Sequence, residues 1–157
     1  EDLYKESKQD KISSEEYGLV FSRMDYHNAP DWKYAIVDLN KDGQDELLIG
    51  DEKFVLAIYY LENQKPSLLH TAYIASAGGF RSGFVIYENG QVSYADWQST
   101  RPEMNLSLYS FDKNGVQKIK EATIQIGGNE KAEQILDISS EKLDLSKIGW
   151  KELNPAN

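Results

Sequence analysis

The stretch YAIVDLNKDGQDELLIG, Tyr34 to Gly50, reads as a strand, an oxygen-rich loop and a second strand. Taking Asp38 as the first loop position, side-chain oxygens recur at Asp38, Asn40 and Asp42, Gly43 follows, and Glu46 stands at the ninth position. Ca²⁺ is a hard cation that takes roughly six to eight oxygens at about 2.3–2.6 Å. Alternate side chains of a tight loop, with the backbone carbonyl of Gln44 at the seventh position, supply them from one short segment. Asp38, Asn40, Asp42, Gln44 and Glu46 are therefore the candidate metal ligands, with the calcium in a structural role. The alternative is a plain turn, because Asp, Asn and Gly favour turns for backbone reasons alone. Three carboxylates within nine residues nevertheless repel one another, and a dication relieves that repulsion.

An EF-hand places a bidentate Glu at the twelfth loop position and flanks the loop with helices. Here that position is Ile49, and both flanks, AIV and LLI, are apolar and β-prone. The DxNxDGxxE pattern followed by LLIG resembles the FG-GAP type of calcium loop, in which the metal sits between two strands and the ninth-position carboxylate replaces the distant Glu. Glu46 matches that position.

The chain has 157 residues, enough for one domain with a core. Residues 1–13 are expected to form a linker, with a single β-rich domain from 14 to 157. A formal net charge of −9, from 26 acids against 17 Lys and Arg, opposes nucleic acid and anionic membrane surfaces. With no cysteine, disulfides and thiolate metal sites are excluded. No apolar run approaches the roughly 18 residues that span a bilayer. The chain opens on Glu1, so it is expected to be a fragment or a mature form. Extracellular calcium modules bind with dissociation constants on the order of 10⁻⁴ to 10⁻³ M, too weak for a calcium-poor cytosol, so the calcium reading points to export.

Taken in order, Ser13 to Glu16 carries a serine cap with acids in a first helical turn. Tyr17, Val20, Phe21 and Met24 follow at helical spacing, which predicts an amphipathic helix ending near Asp25. Beyond the loop, β-prone runs at Phe54–Leu61, Ser67–Ala75, Phe84–Tyr87, Gln91–Trp97, Leu106–Phe111 and Val116–Ile126 are separated by turn signals. Asn89-Gly90 and Asn114-Gly115 predict hairpins with type I′ turns. Ile135–Ile138 reads as one more short strand, a helical turn is expected from Ser140, and Ile148 and Trp150 are expected to dock on the sheet. The fold class is α+β, mainly β: an N-terminal helix followed by an antiparallel meander.

The Ser-Glu-Glu-Tyr helix entry, the Tyr34–Gly50 stretch, FVLAIYYLENQKP, FVIYENGQV and LSLYSFDKNG together resemble the calcium-loop domain of surface lipoproteins of Gram-positive bacteria, over roughly residues 14 to 126. The resemblance implies an extracellular location, with a lipid-bearing cysteine upstream of the mature domain as the only tie to the membrane. It implies a metal and assigns no reaction. The module is expected to be a monomer.

His27 and His70 have no catalytic partner evident in the sequence, and no nucleophile elbow, phosphate loop or His-Glu-x-x-His is present. Ala77-Gly78-Gly79-Phe80-Arg81-Ser82-Gly83 sets one Arg among three glycines, and Asp96, Trp97, Arg101 and Glu103 form a polar and aromatic cluster. Arg81, Trp97 and Arg101 are the candidate ligand-binding residues, a guanidinium fork suiting anionic groups. The alternative is that the arginines only pair with surface acids. Three functional readings follow: a cell-surface binding or accessory module, a glycan hydrolase using Asp96 and Glu103 as paired carboxylates, or an acidic inhibitor of a cationic enzyme.

Overall fold

A computed structural model describes residues 32–74, 80–98 and 100–153. The expected linker, the Ser13–Asp25 helix, His27 and the 77–79 part of the glycine loop lie outside the described residues. Within them the protein is mainly β, with two five-stranded antiparallel sheets. The first orders its strands β10-β1-β2-β3-β4, from β1 (Lys33–Val37), β2 (Glu46–Gly50), β3 (Val55–Glu62), β4 (Lys65–Thr71) and β10 (Lys151–Glu152). The second is the meander β5 (Tyr73–Ile74), β6 (Phe80–Ile86), β7 (Val92–Gln98), β8 (Glu103–Asp112) and β9 (Gly115–Gln125). The expected single meander is thus two. Only Ala72 separates β4 from β5, and its wholly buried methyl marks where the chain leaves one sheet for the other.

The sheets pack over one shared core. Ala35, Leu48 and Ile58 come from the first sheet, Ile86, Val92 and Phe111 from the second. β2 and β3 are buried on both faces, with Ile49, Ala57 and Tyr59 on the outer one. Their near-continuous apolar runs, ELLIG and VLAIYY, follow from that double burial. On the outer face of the second sheet, Leu106, Leu108 and Ile124 pack under Leu136.

Leu136 caps helix α1 (Ala132–Ile135), which stands where a strand over Ile135–Ile138 is expected. Helical spacing sets Ala132, Ile135 and Leu136 on the same cluster. The helix stops because Asp137 turns left-handed, with φ of 57°. Ile138 N then donates to Glu133 O (2.8 Å) and Asp137 N to Gln134 O (3.3 Å), a Schellman closure. The turn expected from Ser140 is instead a 3-10 turn at Leu145–Lys147, capped by Asp144. Ile148 and Trp150 pack on the shared core as expected. The tail crosses from the second sheet, where Leu143 N donates to Ile86 O, to the first, where β10 pairs with β1.

The hairpins form, but not through type I′ turns at Asn-Gly. At Asn89-Gly90 only the glycine is left-handed (φ 83°), and Gly90 N donates back to Tyr87 O. At Asp112–Gly115 the Asp112 carboxylate takes the amides of Asn114 and Gly115. The turn with two left-handed residues is Asn63-Gln64 (φ 49° and 66°), between β3 and β4. Lys65 and Pro66 accordingly belong to β4, a sheet edge where proline's missing N–H is tolerated.

A Cβ on Gly90 would come 2.5 Å from Asn40 Cα and 2.6 Å from Leu39 O. The β6–β7 turn therefore rests directly on the Asp38 loop. Gly90→Ala is expected to lower stability by roughly 2–4 kcal/mol, combining left-handed strain with a backbone clash. A loss below about 0.5 kcal/mol in urea unfolding, the size of an ordinary surface change, would refute that contact.

Candidate functional site

The Asp38–Glu46 loop closes on its own amides. Asp38 accepts from the N–H groups of Asp42 (3.0 Å) and Gly43 (2.8 Å), and Asp42 accepts from Gln44 N (2.9 Å). Asn40 Oδ1 accepts from Asp42 N (3.3 Å), while its Nδ2 donates to Asp42 Oδ2 and to the carbonyl of Phe111, both at 2.9 Å. Lys41 (φ 61°) and Gly43 (φ 91°) make the bends. Gln44 Nε2 reaches Leu61 O at 3.4 Å.

Glu46 differs from the other ligand candidates. It pairs with Val37, on the side of β2 that carries Leu48, and so points into the core with only 2% of its surface exposed. Its Oε2 accepts from Leu39 N (3.0 Å), and Leu39 is itself buried in the shared core. Burial, with the charges of Asp42, Asp38 and Asp45 adding to it, pushes its carboxyl up to about 7 against the pull of that hydrogen bond. The donor chemistry fits a hard dication, since all five candidate positions offer oxygen. Among the described residues, however, no three His, Cys, Asp or Glu side chains converge as a metal group. Asp38 and Asp42 keep further carboxylate lone pairs beside those their amide partners use.

The second feature is a cleft of about 510 Å³ where the sheets part. Its end wall is aromatic. His70, on the inner face of β4 opposite Ile58, stacks on Tyr94 (4.1 Å between centroids, 11°) and meets Tyr109 edge-on, with Nε2 to the phenol oxygen at 2.8 Å. The floor is polar and spans β7, β8 and β9. Asn105 Nδ2 donates to Asp96 Oδ1, and Thr123 Oγ1 donates to Asn105 Oδ1, each at 3.2 Å. Beside this chain Lys118 and Glu121 form an ion pair.

Of the residues singled out from sequence, Asp96 lies in this cleft and Glu103 does not. Glu103 is exposed at the start of β8, accepting from Gln125 Nε2 at 3.5 Å. Arg81 and Trp97 are brought side by side in register across β6 and β7, but on the opposite face from Ser82 and Asp96, hence away from the cleft. Arg81 Nε is buried with no hydrogen-bond partner among the described residues. Arg101 is exposed in the β7–β8 turn, its N–H donating to Gln98 O (3.0 Å). Asn105, Lys118, Glu121 and Thr123 were not singled out, and His70 was noted only as a histidine with no catalytic partner evident in the sequence. The only local signal for them is alternation, Asn105 and Ser107 against Leu106 and Leu108, and it does not say which face is open.

In comparisons with protein-family models, curated proteins and solved structures, the chain matches none.

Burial, then the Lys118 ammonium, hold the His70 imidazole below its ordinary range, with Asp96 opposing. Tyr94 and Tyr109 are the other titratable groups against it. The unfolded chain takes up this proton near pH 6.5 and the folded one only at lower pH, so His70 costs nothing above about 6.5 and destabilises progressively below it. Glu46 runs the other way: its folded value is raised, so its contribution is full below about 4.5 and lost as pH rises through about 7. The His70 signature is therefore a difference. The stability gap between wild type and His70→Phe is expected to narrow from pH 7.5 to 5 in urea titrations, and a constant gap would show His70 protonating freely in the fold.

Proposed function

We propose that the protein is an extracellular binding module of a Gram-positive bacterial surface, held to the membrane only through a lipid anchor upstream in the full-length protein. A structural calcium ion occupies the Asp38 loop. The observation that carries the reading is the Glu46 carboxylate, buried on the core side of β2 with Asp38 and Asp42 within the same loop. A buried charge is costly unless it is paired or coordinates a metal, and among the described residues no Lys or Arg pairs with Glu46, the loop's own Lys41 being exposed. Asp38, Asn40, Asp42, the Gln44 carbonyl and Glu46 are the groups that would hold the ion. Bound there it supplies charge neutralisation, and the chain's own residues hold β1 and β2 in register around it.

The resemblance of residues 14 to 126 to surface lipoprotein domains supports the location. The acidic balance of the chain disfavours nucleic acid and anionic membranes as partners. A glycan hydrolase is less well supported, since of Asp96 and Glu103 only Asp96 stands in the cleft. The module acts as a monomer that captures a ligand, with no catalytic residue assigned.

Thermal melts in 10 mM calcium and in excess chelator test the metal. With dissociation constants of order 10⁻⁴ to 10⁻³ M, calcium stabilises by roughly 1.5–2.7 kcal/mol, several degrees in Tm. Asp38→Ala also removes two amide partners, so it is expected to weaken the chelated protein as well, by about 1–2 kcal/mol. Glu46→Gln is the sharper variant, because its amide oxygen keeps the Leu39 bond. It is expected to match or exceed the wild-type Tm in chelator at pH 8 and to lose the calcium shift. A wild-type protein that melts alike in both buffers, or a Glu46→Gln variant with the full shift, would refute the ion.

A further inference from the structure

We propose that the inter-sheet cleft is the ligand site and that its ligand is a neutral saccharide. The inference rests on reading the protein as a binding module, but not on the calcium, which lies elsewhere in the fold.

The cleft falls within the roughly 300–1,000 Å³ range of small-molecule sites, yet its floor is polar where such sites are usually apolar. A ligand that fits must bring many hydrogen-bonding groups. The Asp96–Asn105–Thr123 chain fixes three side chains on three adjacent strands, a rigid base on which their remaining groups are pre-set. Asp96 keeps a second carboxylate oxygen, Asn105 a second amide hydrogen, and Thr123 its lone pairs. Acceptors and a donor thus alternate across the floor. A sugar hydroxyl both donates and accepts, so a row of hydroxyls satisfies such a floor where a one-sided ligand would not.

Charge narrows the class. Lys118 is paired with Glu121, and burial keeps His70 neutral above its lowered range, which leaves Asp96 as the net charge. An anionic ligand meets that carboxylate, and a cationic one gains only a solvent-exposed ion pair with it, which contributes little. A peptide adding as a strand would pair along the free edge of β4 or β9 and leave the floor itself uncovered, since β7 and β8 are paired on both sides. His70, half-buried at the end wall, adds a ring edge beside the polar floor.

The test is a ¹⁵N–¹H NMR titration of the whole chain with neutral di- to tetrasaccharides of glucose, galactose, mannose and N-acetylglucosamine. Lysyl-lysine and a sulphated disaccharide serve as charged comparators. Shifts centred on Asp96, Asn105 and Thr123 with at least one neutral sugar are expected. Asn105→Ala should weaken that sugar about tenfold, since it removes one ligand contact and frees both neighbours. Thr123→Ala, exposed and less disruptive, should weaken it by a few-fold. The inference falls if no neutral sugar perturbs the floor, if a charged comparator binds more tightly, or if the Asn105→Ala spectrum keeps its native dispersion while affinity is unchanged. A calcium-dependent melt with no sugar response would overturn the saccharide alone, and sugar binding without a calcium shift would support it while removing the metal.

Discussion

The hydrogen bond from Leu39 N to Glu46 Oε2 sits where everything else meets. It fastens a carboxylate on the core side of β2, and it draws Leu39 into the shared core. With the loop pinned in that way, Asn40 reaches the carbonyl of Phe111 in the second sheet, and the β6–β7 turn can lie on the loop backbone only because Gly90 has no side chain. One short segment of the first sheet is thereby in contact with two hairpins of the second. The free energy of burying Glu46 has to be offset locally, by an amide, by a cation, or by a proton.

The inner face of the second sheet changes character along its strands. Running away from the loop, β6 offers Ile86, Phe84 and Ser82, β7 offers Val92, Tyr94 and Asp96, and β8 offers Phe111, Tyr109, Ser107 and Asn105. The first of each set is core, the second aromatic, and the last polar. Apolar side chains hold the sheets together at one end, and the rings of His70, Tyr94 and Tyr109 form the boundary. Beyond that boundary, among the described residues, closing the sheets would take water from the floor without adding apolar contact. The cleft is the consequence of this gradient.

The cleft and the packed core are consequently placed at separate ends of the two sheets. The tail reinforces the closed end, taking backbone hydrogen bonds from β6 through Leu143 and from the first sheet through β10. Trp150 joins the core and anchors itself with an indole bond to Leu145 O at 2.8 Å. Toward the open end polar bonds bridge the sheets, His70 linking β4 to β8 through one phenol and Thr71 O accepting from the hydroxyls of Ser82 and Tyr94.

Local sequence determined a good part of this. Alternating and continuous apolar runs set where strands form, Asn-Gly and Asp-rich segments set where they reverse, and the Asp38 to Glu46 spacing set the oxygen-rich loop. These are short-range effects of side-chain period and backbone preference. Tertiary structure decided the rest. Asn89-Gly90 took a turn with one left-handed residue, and the loop packed against Gly90 requires glycine there. In place of a strand, Ile135 to Ile138 form the last helical residue and the closing turn of a short helix, which lays Ala132, Ile135 and Leu136 together on the outer face of β8 and β9. In β8 the sequence shows alternation but not its direction. Both faces are used, Leu106 and Leu108 under the helix and Tyr109 and Phe111 toward the first sheet, and only the packing of the two sheets could turn Asn105, Asp96 and Thr123 into one floor. The floor comes from three consecutive strands, but His70 reaches the cleft from β4 of the other sheet, and no local pattern records that the two sheets will face each other there.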